Sequence, residues 1–360
     1  MNRLVLSGES LAHNLETVRE WVSGHGGTLT VVTKALCGHE TYLRALLECG
    51  VERIGDSRLS NIRAARRAGF RGEVWYIRPP HHSAIEQVVE LADLSLNTEM
   101  ATLRMLGRAA ERAGRTHRVI LMVELGDQRE GILPGNLVDF FSQAREIDGI
   151  EVAGIGASLG CVAGTLPSVD QLSELVMQRE LLELKFRADS MLVSGASSAA
   201  LPLLRRGQMP EGINNFRIGE SILLGTDLIS GGLMDGLRGD AFRLEAEVIE
   251  LKEKSLEPFG ERHERLAPFG VQEPEESHAP GERGWRALVT VGELDTDVHS
   301  LTPAGRASVV GASSDVAVVN VGEDPGGLKV GDTMEFGMGY SGLVRLMESS
   351  YVTKMIRPEG

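Results

Sequence analysis

Short apolar runs alternate with amphipathic stretches through the first two-thirds of the chain. The runs read as strands over Thr28–Thr33, Glu52–Gly55, Val74–Ile77, Asp93–Leu96, Val119–Leu125, Glu151–Ala157, Met191–Val193 and Asn214–Arg217. Helical spacing falls between them. Leu137, Phe140, Phe141, Ala144 and Ile147 form one such face. Met100, Leu103, Leu106 and Ala110 form another, opened by Asn97-Thr98-Glu99, whose polar side chains suit a helix start. Leu172, Leu175, Val176 and Leu182 form a third, preceded by Pro167-Ser168. Regular strand–helix alternation predicts a parallel sheet. About eight units in this length fit a TIM-like (β/α)8 barrel better than the alternative, an open doubly wound sheet.

The pattern changes after residue 230. Gly231-Gly232 marks a break, and Phe242–Leu251, Arg286–Val291, Val316–Val321, Thr333–Phe336 and Tyr351–Ile356 read as strands without intervening helices. Residues 258–284 are rich in Pro, Gly, Glu and His and read as a long surface loop. The expected organisation is an α/β chain with a barrel over 1–230 and a mostly-β domain over 231–360.

Charge narrows the function. Lys+Arg 37 against Asp+Glu 51 leaves −14, which argues against nucleic acid and against docking on an anionic membrane. No apolar run approaches the roughly 20 residues that span a bilayer. The N-terminus lacks an apolar signal core, so a cytoplasmic protein is expected. The three cysteines, Cys37, Cys49 and Cys161, form no CxxC pair, so no disulfide framework or zinc ribbon is expected.

In a (β/α)8 barrel the chemistry lies at the C-terminal ends of the strands. The first strand ends in Val31-Val32-Thr33-Lys34, where a lysine at the barrel mouth is either a desolvated Schiff-base nucleophile or an exposed turn residue. Gly55-Asp56-Ser57-Arg58 reads as a helix cap. Glu124-Leu125-Gly126-Asp127-Gln128-Arg129-Glu130-Gly131 frames Arg129, which suits either a carboxylate clamp or a structural ion pair. After the sixth strand come Ser158 and Cys161, the latter read as a small hydrophobe. The last two strands run into Ser194-Gly195-Ala196-Ser197-Ser198 and Arg217-Ile218-Gly219-Glu220-Ser221. Hydroxyls and backbone N–H groups at helix starts can cradle a phosphate, and Gly219 allows close backbone approach. Together with Lys34 these describe a pocket for a phosphorylated aldehyde cofactor, pyridoxal 5′-phosphate (PLP).

Across nearly its whole length the chain resembles the fold-type III PLP enzymes of the alanine racemase superfamily, and most of all their ornithine racemase-like branch. The resemblance rests on the stretches just quoted, with Leu224-Gly225, Glu247-Val248-Ile249-Glu250-Leu251-Lys252, Gly311-Ala312-Ser313-Ser314-Asp315 and Ser350-Tyr351-Val352-Thr353-Lys354. It implies a racemase of ornithine or another basic amino acid. Lys34 would form the internal aldimine, and Arg217 would donate to the pyridine nitrogen and keep it unprotonated. Ser197, Ser198, Gly219 and Glu220 fall in the phosphate-binding stretches, the last two through backbone amides. Tyr340 matches a tyrosine whose hydroxyl reaches the phosphate. Arg129 matches the arginine near the substrate carboxylate. Asp315 matches an aspartate that a second subunit presents, which implies a head-to-tail homodimer.

Three departures stand out. Lys34-Ala35-Leu36-Cys37-Gly38-His39 lacks the lysine-proximal tyrosine. Ser158 stands where a ring-stacking histidine is usual and where the ornithine branch has asparagine. The partner tyrosine is missing, and Glu293 is nearest its position in Val291-Gly292-Glu293-Leu294-Asp295-Thr296-Asp297. Lys34 can serve one face of the Cα as general base, while the second proton donor stays open among Glu293, Asp295, Asp297, Cys161 and Ser314. Asp295 and Asp297 read as acceptors for a cationic substrate amine or as a solvated turn. The alternatives are another PLP enzyme on this scaffold (decarboxylase, aldolase or dehydratase) and a non-catalytic PLP-binding protein. No metal site is expected.

Overall fold

The computed structural model describes residues 2–257, 259–261 and 281–358, so most of the loop expected over 258–284 lies outside the described residues, and its last two positions open a strand at Arg283. Backbone proximity divides the chain into two units, Ala12–Arg238 and Met1–Leu11 with Gly239–Gly360. The division read along the sequence at 230/231 therefore moves to 238/239, and the N-terminal residues leave the barrel unit.

After β1 (Arg3–Leu6) and α1 (Gly8–Gly24), eight strands alternate with helices. They are β2 (Thr28–Val32), α2 (Glu40–Glu48), β3 (Arg53–Asp56), α3 (Leu59–Arg67), β4 (Glu73–Tyr76), α4 (Ile85–Leu91), β5 (Leu94–Asn97) and α5 (Met100–Arg112). Then follow β6 (His117–Val123), α6 (Leu137–Ala144), β7 (Ile150–Ala157), α7 (Val169–Phe186), β8 (Leu192–Ser197), α8 (Leu201–Arg205), β9 (Asn215–Ile218) and α9 (Glu220–Leu224). Every neighbouring pair from β2 to β9 is parallel, and β9 pairs with β2 through Thr28↔Asn215 to Val31↔Ile218, which closes the barrel. Closure excludes the open doubly wound sheet.

The apolar runs form these strands because they are buried. Trp75, Leu94, Leu96, Ile120 and Met122 make one buried cluster, with Ile77, Ala153 and Leu192 packed against it. Each large side chain so buried contributes about 1.5–3 kcal/mol relative to exposure. Helix α7 starts as its sequence predicts, with a capping box in which Ser168 Oγ accepts from Gln171 N. Asn97 does not open α5. It ends β5, and its Nδ2 donates to Ser95 O at 2.9 Å. Strand β8 runs past the expected Val193 to Ser197, because its small polar residues are satisfied inside the barrel: Ser194 Oγ donates to Asn215 Oδ1 at 2.6 Å.

At the end where the barrel strands begin, charges are matched. Glu73 Oε2 accepts from Arg53 Nε at 2.5 Å, and Glu73 Oε1 accepts from Arg118 Nη1 at 2.8 Å and from Trp75 Nε1 at 2.9 Å. Burial alone would raise the Glu73 pKa, but these partners outweigh it and hold the carboxyl below its ordinary value. Asp93 meets Arg66 at 3.4 Å and Arg115 at 3.7 Å.

The second unit is an eight-stranded sheet. Its path runs β12 (Leu301–Pro303), β15 (Thr333–Met338), β10 (Phe242–Ser255), β11 (Arg283–Val289), β14 (Ala317–Gly322) and β13 (Ser308–Ala312). The N-terminal strand β1 pairs antiparallel with β10 and parallel with β16 (Thr353–Ile356). One helix interrupts the strands expected here, α10 (Tyr340–Glu348), which buries Leu343, Leu346 and Met347 at helical spacing. Among the described residues no helix is long and apolar enough to cross a membrane.

Candidate active site

Each barrel strand releases its chain at one rim, and the sequence places polar residues there. After β2 comes Thr33 and then a single 3-10 turn, Lys34–Leu36, ended by Cys37 in the left-handed region. Thr33, Ala35 and Leu36 are buried while Lys34 is exposed. Desolvation of its amine, one of the two readings of Lys34, is therefore not supplied by the described barrel residues. Its electrostatic neighbour is Glu220 at the start of α9. Burial raises the Glu220 pKa, while the hydrogen bond from Thr226 and the charge of Lys34 oppose the rise.

The turn carrying Lys34 is fixed from β3. Thr33 N donates to Gly55 O at 3.0 Å, and Thr33 Oγ1 donates to Asp56 Oδ2 at 2.8 Å. Arg58 N and Asn61 Nδ2 donate to Asp56 Oδ1 at 2.9 and 3.2 Å. Asp56 is fully buried, which pushes its pKa up to about 6 despite these bonds. The sequence reading of Asp56 as a helix cap missed this contact with the Lys34 turn.

Strands β8 and β9 bring Ser198, Gly219 and Ser221 together. Ser198 Oγ accepts from Gly219 N and Ser221 N, both at 3.4 Å. A Cβ on Gly219 would meet Val32 Cβ and Val32 O at 3.0 Å, so a larger residue would push the start of α9 and the end of β2 apart by a few tenths of an ångström. Ser197 does not join this cradle, since its Oγ accepts from Ala199 N and donates to Leu159 O. Arg217 on β9 donates to Ser194 O and Oγ and, at 2.8 Å, to Ala157 O. Burial lowers its pKa to about 10, helped by the nearby charge of Arg129, so it stays a cationic donor at neutral pH.

Arg129 lies in the loop after β6. Its guanidinium pairs with the adjacent Glu130 through Nε and Nη2, donates from Nη1 to Cys161 Sγ at 2.9 Å, and donates from Nη2 to Ser158 Oγ at 2.7 Å. Ser158 Oγ in turn donates to Glu130 Oε1 at 3.0 Å. The bond to Glu130 raises the Arg129 pKa above its ordinary value. Glu130 is the residue that sequence reasoning missed. It stood in the quoted motif, but nothing in the spacing said that neighbours would pair. The loop is latched by Asp127, which accepts from Cys161 N at 3.1 Å and Val162 N at 3.3 Å.

The remaining candidates lie in the sheet unit. Gly292 packs against the Ser314–Asp315 peptide, where an added Cβ would meet Ser314 O at 2.4 Å, so the 291–297 and 313–315 segments form one loop cluster. Asp295 is buried and closes its own turn, accepting from Gly292 N at 3.2 Å and Ser349 Oγ at 3.4 Å. Asp297 Oδ2 accepts from Ser341 Oγ at 2.6 Å. Asp315 is exposed and accepts from Ser314 Oγ at 2.9 Å. Tyr340 opens α10. The Glu293 carboxylate meets Arg345 at 3.5 Å and His299 at 3.9 Å. Among the described residues no group of His, Cys, Asp and Glu is placed to hold a metal ion.

A closed parallel barrel whose rim carries Lys34, two arginines and a backbone cradle, joined in one chain to a mostly-β unit, is the architecture of a fold-type III enzyme. The family described as alanine racemase, N-terminal domain, matches residues 6–226. Ornithine racemase of Acetoanaerobium sticklandii is 32% identical over 354 residues, covering 98% of each chain. Lysine racemase of Thermotoga maritima is 33% identical over 357 residues, covering 99% of this chain and 98% of that one. The crystal structure of alanine racemase from Streptomyces lavendulae superposes with a TM-score of 0.72 at 21% identity, covering 100% of this chain and 97% of the other. The chain belongs to the alanine racemase family.

Proposed function

We propose that this protein is a PLP-dependent amino-acid racemase acting on ornithine or another basic amino acid. The observation that carries the reading is the convergence of Lys34, the Ser198–Gly219–Ser221 cradle and Arg217 at one barrel rim. The donor set suits the cofactor. The Ser198 hydroxyl accepts two backbone N–H groups at a long 3.4 Å, so both can turn to a phosphate, and Gly219 leaves no side chain in the way. Glu220 would contribute its backbone amide. Arg217, cationic and anchored on Ser194 and Ala157, would donate to the ring nitrogen and keep it unprotonated, which limits side reactions. When bound, PLP supplies the electron sink that makes the Cα–H bond labile.

The chain's own groups do the rest. Lys34 Nζ would take or return the Cα proton on one face. Arg129 would hold the substrate carboxylate. Ser158 orients Arg129, and Ser197 caps the turn that carries Ser198. Asp295 would fix the loop that carries Glu293 and Asp297. Under the same reading the protein is a cytoplasmic, head-to-tail homodimer, with Asp315 and the 291–297 loop serving a neighbour's barrel.

The test is incubation of PLP-loaded protein with single-enantiomer amino acids in deuterated water. Deuterium at Cα with loss of optical rotation is expected. Release of carbon dioxide or an aldehyde instead would overturn the reading. A monomeric variant that retains PLP is expected to be inactive, and full activity in a monomer by light scattering would remove the dimer.

A further inference from the structure

We propose that Glu130 determines substrate class: it is the carboxylate that accepts the distal ammonium of a diamino acid once the substrate's own carboxylate has taken its place on Arg129. The proposal rests on the racemase reading above. Its basis is how the carboxylates at the barrel rim are committed. Glu124 Oε1 accepts from Gly126 N at 2.6 Å and Gln128 N at 3.1 Å. Asp127 is held by the Cys161 and Val162 amides. Asp56 is fully buried on Thr33, Arg58 and Asn61. Glu220 accepts from Thr226 and faces Lys34. Each of the first three is held by at least one backbone N–H at 3.1 Å or less, and so is part of the loop framework.

Glu130 differs. Its partners are side chains alone, the adjacent Arg129 and the Ser158 hydroxyl, and it is only 13% exposed. In this arrangement Glu130 occupies on Arg129 the fork that a substrate carboxylate needs. An amino acid with a neutral side chain must displace it and leave a largely buried carboxylate with Ser158 as its remaining donor. Such an unpaired charge is costly. A diamino acid carries its own replacement. Its carboxylate pairs with Arg129, its distal ammonium pairs with Glu130, and no charge is left alone. Discrimination then comes from the penalty on the wrong substrate as much as from attraction to the right one. Ser158 fits this exchange, because its hydroxyl accepts from Arg129 and donates to Glu130 and so can bridge both while they part.

The test compares kcat/KM for L-ornithine with that for L-norvaline, which has the same carbon chain and no distal ammonium. Holoenzyme is used throughout, with the visible PLP band as the check on the site. Wild type is expected to prefer ornithine, and Glu130→Gln to lower the ornithine/norvaline ratio on the order of 100-fold, mainly through KM. An unchanged ratio, or a parallel fall for both substrates, would overturn the proposal. Should Glu130→Gln not fold, Glu130→Asp decides. It keeps the charge but withdraws it by one methylene, so the lysine/ornithine ratio is expected to rise, and an unchanged ratio would be fatal to the proposal. If wild type racemises no amino acid, the racemase reading fails; if it racemises but its preference ignores residue 130, this inference alone fails.

Discussion

The two ends of the barrel treat charge in opposite ways. Where the strands begin, Glu73 sits among Arg53, Trp75 and Arg118, and the carboxyl is held below its ordinary pKa. Where the strands end, burial lifts Asp56 to about 6 and raises Glu220, and it lowers Arg217 to about 10. The first end satisfies its charges and closes the fold. The second disfavours the charged forms of these three groups, where the first favours the charged form of Glu73. Stability and chemistry are thus assigned to opposite rims of the same eight strands, as the barrel architecture favours.

Lys34→Ala should cost the most, lowering racemisation on the order of 10³-fold or more by polarimetry. Retention of near wild-type turnover would erase the functional half of the contrast. Asp56 tests whether the upper rim is held at an energetic cost. Its folded pKa of about 6 lies above the ordinary 3.8. Between these values the folded state keeps a proton that the unfolded chain has lost, so stability falls as pH rises through that window and levels off above it. The loss amounts to about 3 kcal/mol. Asp56→Asn should remove that slope when denaturant unfolding is compared at both ends of the window, whereas parallel curves for the two proteins would contradict it.

At the lower rim, Glu73→Gln should reduce unfolding free energy by about 1–2 kcal/mol, because its arginines lose a part-buried partner. Racemase kcat should stay as it was. A loss of activity without a loss of stability would blur the two ends. The smallest effect concerns the cradle. Gly219→Ala puts a methyl 3.0 Å from Val32, and PLP affinity by titration should weaken about tenfold. Unchanged affinity would remove Gly219 from the phosphate site.

Local signals carried much of this. All eight barrel strands were readable because each is a buried apolar run closed by turn residues, with ends shifted by a few residues. The rim positions of Lys34, Ser198 and Gly219 were readable because each comes just after a strand, while Arg217 lies within β9 itself. Long-range pairing was not. Strand β1 is four residues long, and its partners Phe242–Glu245 and Thr353–Ile356 lie at the far end of the chain. Helix α10 escaped because three apolar positions after a strand look alike in either period. The Arg129–Glu130 pair escaped because adjacent residues in a loop carry no periodicity, and only folding brings Ser158 between them.

The most direct measurement is borohydride reduction of the PLP-loaded protein followed by peptide mass mapping. The expected result is one pyridoxyl group per chain, on Lys34. A label on another lysine, or none with the protein colourless, would contradict the assignment of the barrel rim as a PLP site.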